Sequence, residues 1–124
     1  MMNAILIDDE RNALEVLEMQ LMKFCTGVQV IAKCDGGENG IAAIKKHKPD
    51  LVFLDIEMPH ITGFDVIKET AGLNYDIIFT TAYNQFAIKA FKVSAVDYLL
   101  KPIDITELQA AVEKARQKRG SNNL

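Results

Sequence analysis

Residues 51–55 read Leu51-Val52-Phe53-Leu54-Asp55, four apolar residues in a row followed directly by an aspartate. A strand that is apolar at every position is typical of the centre of a parallel sheet, where helices cover both faces. Pro49 ends the helical pattern that precedes this run, because proline interrupts the hydrogen bonding of a helix interior. The stretch therefore predicts a buried central strand that ends on an acidic residue.

Short apolar runs alternate with segments of helical period along the rest of the chain. The predicted strands are residues 4–7, 28–32, 51–54, 76–80 and 95–100. The predicted helices after the first are residues 38–47, 63–70, 85–93 and a last helix that ends near Gly120. Five strand-helix units of this length predict an α/β fold, a doubly wound, five-stranded parallel sheet with helices on both faces.

The first and last helices have distinctive ends and inner faces. The first carries Leu14, Leu17, Leu21 and Phe24 on one face, and Gly27 closes it. The last is capped by Asp104 or Thr106, because both side chains accept hydrogen bonds from the first helical turn. Its inner face is formed by Leu108, Ala111, Val112 and Ala115.

Composition places the chain among globular single-domain proteins, since 49% of its 124 residues are hydrophobic and 25% are charged. We assign residues 1–119 to one domain and residues 120–124 to the start of a linker or a disordered C-terminus. A formal net charge of −3 argues against a chain that coats nucleic acid. Acidic residues 8–10 interrupt the apolar start too early for a membrane span, so we expect no membrane partner and a cytoplasmic location.

The two cysteines and two histidines do not have the spacing of a metal site. We expect Cys25 and Cys34 to be buried or half-buried thiols, and His47 and His60 to be surface residues.

Polar side chains follow four of the five predicted strands. Asp8 and Asp9 follow the first strand, Asp55 the third, Thr81 the fourth and Lys101 the fifth. Because ligand sites of open parallel sheets lie beyond the carboxyl ends of the strands, we expect these side chains to converge. An aspartate at a strand end is often only a helix cap or turn residue, and a lone Lys-Pro pair is commoner still, so the prediction depends on their joint occurrence.

This combination suits phosphoryl transfer. Crowded carboxylates repel one another, and Mg²⁺, which prefers oxygen ligands, makes such a cluster tolerable. An ammonium from Lys101 and a hydroxyl from Thr81 would neutralise phosphoryl oxygens while Asp55 attacks phosphorus. The bond between Lys101 and Pro102 is a candidate for the cis form.

Over nearly its whole length the sequence resembles the receiver domains of two-component response regulators. The resemblance rests on Ile7-Asp8-Asp9-Glu10, Leu54-Asp55-Ile56-Glu57-Met58-Pro59 with Thr62-Gly63, Thr81-Ala82, and Tyr98-Leu99-Leu100-Lys101-Pro102. It implies a flavodoxin-like sheet with strand order 2-1-3-4-5. It also implies a phosphoacceptor domain that assists its own phosphorylation and dephosphorylation, rather than an enzyme.

The resemblance implies a role for each matched residue. Asp55 is then phosphorylated by a sensor histidine kinase, and Thr81 and Lys101 bind the phosphoryl group. Mg²⁺ is held by Asp8, Asp9, Asp55 and the backbone carbonyl of Glu57. Thr81 and Tyr98 form the switch. From the positions of Glu57 and Tyr83, two residues beyond Asp55 and Thr81, we predict that they border the path of attacking water and tune the lifetime of the acyl phosphate.

Residues 79–83, 90–91 and 95–103 are similar to receivers of the LytTR class, whose members usually carry a DNA-binding domain after the receiver. The resemblance implies contact with DNA only through such a domain, which lies outside this sequence. It also implies homodimers formed through helix 4, strand 5 and helix 5. A stand-alone receiver that acts through protein contacts is the alternative.

Three other classes of protein share parts of this pattern. A haloacid-dehalogenase-like phosphatase also uses a strand-end aspartate, a lysine and Mg²⁺, but its acidic metal pair would follow the lysine, and here Asp8 and Asp9 precede it. A flavodoxin-like cofactor binder needs a glycine- and hydroxyl-rich phosphate loop, which acidic residues 8–10 replace. An inert interaction domain would not bind Mg²⁺.

Overall fold

The computed structural model describes the backbone of residues 1–122 and the side chains of residues 1–120. Strands and helices alternate strictly along the chain. The strands are β1 (Met2–Ile7), β2 (Val28–Cys34), β3 (Leu51–Leu54), β4 (Asp76–Thr81) and β5 (Asp97–Leu100). The helices are α1 (Arg11–Phe24), α2 (Gly37–His47), α3 (Gly63–Glu69), α4 (Ala87–Lys92) and α5 (Ile105–Asn122).

The five strands form one parallel sheet in the order β2-β1-β3-β4-β5. This confirms the predicted fold class and strand order. β3 lies in the centre, and all four of its residues are buried. Because each strand is followed by a helix that returns to the start of the next strand, every carboxyl end points to the same edge of the sheet.

Alternate residues of each strand face two separate hydrophobic cores. On one face, Leu6 and Phe53 pack with the inner sides of α1 and α5. On the other face, Ile7 and Leu54 pack with α2, α3 and α4. Both cores contain fully buried aromatic or branched side chains, and truncation of such a residue to alanine typically costs about 2–5 kcal/mol. The sheet is therefore held from both sides, which positions the strand ends.

Two expectations for α1 are wrong. Phe24 is 36% exposed rather than inward, because it is the last residue of α1 and the chain then turns away into the extended Cys25. The helix thus ends before Gly27. That glycine instead adopts φ 83 in the turn to β2, a left-handed conformation that favours glycine.

The elements around α4 are shorter than predicted. After α4 the backbone makes one more turn, in which Ser94 adopts φ 62 and the Ala95 N–H bonds to the Ala90 carbonyl. Residues 95–96 are used in this turn, and β5 begins only at Asp97. At the start, Phe86 caps α4 with a non-helical backbone, so the helix begins at Ala87 rather than at residue 85.

The last helix starts after Asp104, whose carboxylate accepts a hydrogen bond from the Glu107 N–H at 2.9 Å. Asp104, not Thr106, is therefore the cap. The helix continues through Gly120 to Asn122, beyond its predicted end. Of residues 120–124, expected to start a linker or a disordered C-terminus, residues 120–122 continue α5, and residues 123–124 lie outside the described residues.

The residues without a predicted role lie where the sequence indicates. Cys25 and Cys34 are buried free thiols, and His47 and His60 are exposed. Across residues 1–122, none of the helices combines the length and the apolar composition that a bilayer crossing requires.

Candidate functional site

The ends of β1 and β3 place two acidic residues side by side. Ile7 pairs with Leu54 in the sheet, and the Asp55 N–H donates to the Ile7 carbonyl at 3.0 Å. On the other side of β1, the Asp8 N–H donates to the Cys34 carbonyl at 3.0 Å. These backbone bonds fix the positions from which the Asp8 and Asp55 side chains leave the sheet.

Asp8, Asp9 and Asp55 form a carboxylate cluster. One oxygen from each side chain lies within 4.8 Å of the others. Asp8 and Asp55 are each only 5% exposed, whereas Asp9 is on the solvent side. Two negative charges are thus largely removed from water at a short separation, an unfavourable arrangement unless positive charge is nearby.

Lys101 supplies positive charge to this cluster. Its Nζ lies 2.6 Å from Asp8 Oδ2, 3.4 Å from Asp55 Oδ2 and 4.0 Å from Glu10 Oε1. The Lys101 N–H also bonds to the Thr81 carbonyl at 2.8 Å, which ties the lysine to the end of β4. The next peptide bond, to Pro102, is cis, as expected from the sequence.

The electrostatic balance differs between the acid and the base. Burial raises the pKa of Asp55, and Asp8 adds to the rise, although the Lys101 charge and the Ile56 N–H oppose it. Burial disfavours the Lys101 ammonium, but its hydrogen bond to Asp8 and the negative charge of Asp55 outweigh this, so the pKa of Lys101 is raised. The charged form of Lys101 is therefore favoured, whereas the ionised form of Asp55 is disfavoured.

The loop after β3 packs tightly beneath Asp55. The Ile56 N–H donates to Asp55 Oδ1 at 2.8 Å, and the Gly63 N–H donates to the Ile56 carbonyl at 2.9 Å. A Cβ at position 63 would come within 2.5 Å of the Asp55 carbonyl oxygen. Gly63 is therefore required by close backbone approach, a role that the sequence pattern did not reveal.

Thr81 and Tyr98 occupy the other side of the site. Thr81 is completely buried at the end of β4, and its hydroxyl accepts a hydrogen bond from the Tyr83 N–H at 3.4 Å. Tyr98 is half-buried against Phe79, with 6.1 Å between ring centroids. The Tyr98 hydroxyl donates to the Tyr83 carbonyl. A hydrogen-bonded connection therefore joins the segment that follows Thr81 to β5.

The remaining predicted site residues lie at the rim. Glu57 follows Asp55 by two residues and is exposed, and Tyr83 is 46% exposed. An apolar groove of about 320 Å³ extends from Asp8 and Lys101 along α1 and includes Gln20. The Gln20 Oε1 atom is buried without a hydrogen-bond partner. Sequence analysis did not identify this groove, because its walls belong to α1 and to the loop after β5.

A buried aspartate, a carboxylate pair, a hydroxyl and a lysine at one sheet edge are typical of phosphoryl-accepting receivers. The family model for the response regulator receiver domain matches residues 4–113. The chain therefore belongs to the receiver domain family of two-component response regulators.

Relatives and solved structures agree with this membership. The chain is 36% identical over 126 residues to the transcriptional regulatory protein BtsR of Escherichia coli. The alignment includes 100% of this chain and 52% of BtsR. The chain is 40% identical over 127 residues to a response regulatory protein of Vibrio cholerae, covering 98% of its own length and 52% of that protein. It thus spans about half the length of these curated relatives.

Two solved receiver structures share the fold. The REC domain of AraT, a response regulator from Geobacillus stearothermophilus, has a TM-score of 0.87 at 27% identity, with 99% of this chain and 98% of that chain covered. The response regulatory domain of mrkE from Klebsiella pneumoniae has a TM-score of 0.85 at 25% identity, with 94% and 97% covered.

The raised pKa of Asp55 predicts a pH-dependent stability. Ionisation costs the folded state more than the unfolded state, so the contribution of Asp55 to the free energy of unfolding should fall as pH rises above the ordinary aspartate pKa of 3.8. We expect Asp55→Asn to abolish this contribution, as measured by urea unfolding across pH in the presence of a chelator. The exposed Asp35→Asn is the matched control. An identical fall in the Asp55→Asn and wild-type proteins would contradict the prediction.

Proposed function

We propose that Asp55 accepts a phosphoryl group from a phosphohistidine on a sensor histidine kinase, in a reaction that requires Mg²⁺. The observation that carries this proposal is the position of the Asp55 carboxylate, nearly buried and 3.4 Å from the Lys101 ammonium, within a cluster of three carboxylates. Family membership supports the same function.

The carboxylate cluster fits Mg²⁺ in both charge and donor chemistry. Three carboxylates and one ammonium leave an excess of about two negative charges, which a divalent cation balances. We propose Asp8, Asp9, Asp55 and the backbone carbonyl of Glu57 as the protein ligands. Asp9 lies on the solvent side, where water can complete the coordination that Mg²⁺ prefers. When bound, Mg²⁺ supplies positive charge to the oxygens of the transferred group.

The chain's own residues then position and neutralise the phosphoryl group. An Asp55 carboxylate oxygen forms a bond to phosphorus while the bond from phosphorus to the donor imidazole breaks, and that imidazole takes up a proton. Lys101 keeps its ammonium at the site and donates hydrogen bonds to the phosphoryl oxygens. The Thr81 hydroxyl donates to another oxygen. This division of tasks follows from the need to spread charge over three oxygens.

Thr81 and Tyr98 form the proposed switch. The Thr81 hydroxyl accepts from the Tyr83 N–H, and the Tyr83 carbonyl accepts from the Tyr98 hydroxyl. If Thr81 turns toward a phosphoryl group, its bond to the Tyr83 N–H is lost and the segment after β4 shifts. Tyr98 then moves inward beside β4. Phosphorylation is in this way converted into a local change of packing.

The proposed output surface comprises α4, β5 and α5. Three of its large apolar side chains are exposed, namely Ile88 at 74%, Phe91 at 83% and Leu100 at 43%. Clustered exposed apolar side chains mark protein contact surfaces. We propose that a second copy of the chain docks here and that phosphorylation strengthens the contact.

The proposed output of the full protein is transcriptional control through a DNA-binding domain. Two observations support this. The chain is similar to about half of a transcriptional regulatory protein, BtsR. Residues 95–103 also resemble the LytTR class. Membership of that class, and a cytoplasmic location, are part of the proposal. A stand-alone receiver that acts through protein contacts is the alternative.

Phosphorylation of Asp55 is tested with acetyl phosphate as a small donor. We expect a mass gain of one phosphoryl group that requires Mg²⁺ and is absent from Asp55→Asn. Lys101→Met should slow labelling by about 100-fold or more, because one charge-stabilising donor is removed. Asp35→Asn serves as the control and should be labelled normally. Equal labelling of wild type and Asp55→Asn would refute the proposal, and turnover of external phosphomonoesters would favour a phosphatase.

Glu57 and Tyr83 are expected to control access of water to the acyl phosphate. Replacing both with alanine should open the rim and accelerate dephosphorylation several-fold, as followed by loss of the labelled species after the donor is removed. A change of His60, which is also exposed beyond β3, is the control. An unchanged rate in the double variant would rule out this role.

Self-association is expected to depend on both the switch and the apolar surface. Beryllofluoride, a phosphoryl mimic, should raise the dimer fraction of the wild-type chain in analytical ultracentrifugation. Phe91→Ser and Tyr98→Ala should each suppress this increase. Met22→Ser removes an apolar side chain that is 74% exposed on α1, and it should have no effect. Dimers that form equally well in Phe91→Ser would exclude this surface.

A further inference from the structure

A second cluster of charged residues lies at the opposite edge of the sheet, where the strands begin. Asp76, the first residue of β4, is 7% exposed. Its two carboxylate oxygens lie 3.0 Å from Lys118 Nζ and 3.1 Å from Arg119 Nη1. Arg119 Nη1 also donates to the Asp50 carbonyl at 3.0 Å, and Arg119 Nη2 lies 3.4 Å from Asp50 Oδ1. We name these four residues the α5 clasp.

The clasp is attached to three neighbouring strands. The Asp50 N–H donates to the Asn3 carbonyl at 2.9 Å, and the Asn3 N–H returns a bond to Asp50 Oδ2 at 2.8 Å. The Asp76 N–H donates to the Asp50 carbonyl at 2.9 Å, the same oxygen that Arg119 contacts. The end of α5 is therefore joined to the starts of β1, β3 and β4.

Further polar contacts hold α5 along its length. The Gln109 side chain donates to the Phe24 carbonyl at 2.9 Å, and the Arg116 guanidinium donates to the Thr26 carbonyl. Its inner face is buried in the core at Leu108, Ala111, Val112 and Ala115. Polar contacts and apolar burial thus both attach α5 to the rest of the domain.

Helix α4 is held much less firmly. It has six residues and no side-chain cap at Phe86, and Ala90 is its one buried residue. Ile88 and Phe91 extend into solvent. Displacing α4 would break no buried ion pair among the described residues. Elements with little buried apolar surface are those that open most readily.

We propose that the α5 clasp makes the carboxyl half of α5 a fixed part of the sheet, so that phosphorylation displaces α4 and leaves α5 in place. The role of phosphorylation rests on the proposed function. The physical reason is the burial of Asp76, since moving the end of α5 would leave its carboxylate away from water without its cationic partners. The output surface then consists of a mobile helix beside a static one.

The clasp is tested by hydrogen exchange of the 124-residue chain, followed by mass spectrometry. Arg119→Met should accelerate amide exchange in the carboxyl half of α5 several-fold. Lys114→Met is the matched control, because it breaks an exposed ion pair of the same helix. In that pair, Lys114 Nζ lies 3.0 Å from Asp97 Oδ2. Arg119→Lys keeps the charge but not the two-pronged contact, and it should give an intermediate rate in a folded protein. Wild-type exchange in both Arg119 variants would overturn the clasp.

The second arm adds beryllofluoride and Mg²⁺ to the wild-type chain. Exchange should change in α4 and remain unchanged in the carboxyl half of α5. An equal change in both helices would overturn the static role of α5. Failure of beryllofluoride to bind, seen by native mass spectrometry, would overturn the proposed function and the link to phosphorylation. The Arg119 comparison would still decide whether the clasp holds α5, because it needs no phosphoryl mimic.

Discussion

Repulsion among carboxylates at the carboxyl edge of the sheet is the constraint on which the site depends. Asp8 and Asp55 are almost buried, and one ammonium, from Lys101, lies between them. A single positive charge does not balance three carboxylates, so the edge retains negative charge that favours a divalent cation. Burial is the main cause of the raised pKa of Asp55, and the negative charge of Asp8 adds to the rise.

The amino edge of the sheet shows the opposite balance. There, two acidic residues, Asp50 and Asp76, face two basic residues, Lys118 and Arg119. Because the charges are equal in number, this edge gains nothing from an added ion, and its contacts hold α5 in place. The carboxyl edge thus carries an excess of negative charge, whereas the acidic and basic residues of the amino edge are paired.

Strand β4 connects the two edges. Its first residue, Asp76, belongs to the α5 clasp, and its last residue, Thr81, lies beside the carboxylate cluster. Every residue of β4 is buried, so the strand is a rigid support rather than a moving part. Under the proposed function, a change at Thr81 would pass to the less constrained segment after β4 and to α4, where large apolar side chains extend into solvent.

The sequence by itself determined the five strands and the side chains at their carboxyl ends, because hydrophobic period and strand ends are local properties of the chain. The strand order was implied by the resemblance to receiver domains. Asp55, Asp8 and Lys101 were predicted from such positions. Only the tertiary structure decided that Phe24 is exposed, that Gly63 must lack a Cβ, and that Arg119 reaches Asp76. Arg119 and Asp76 are 43 positions apart, and residues at that separation carry no local signal of their contact. Gly63 meets the Asp55 carbonyl because the loop after β3 folds back, and Phe24 is exposed because α1 ends there.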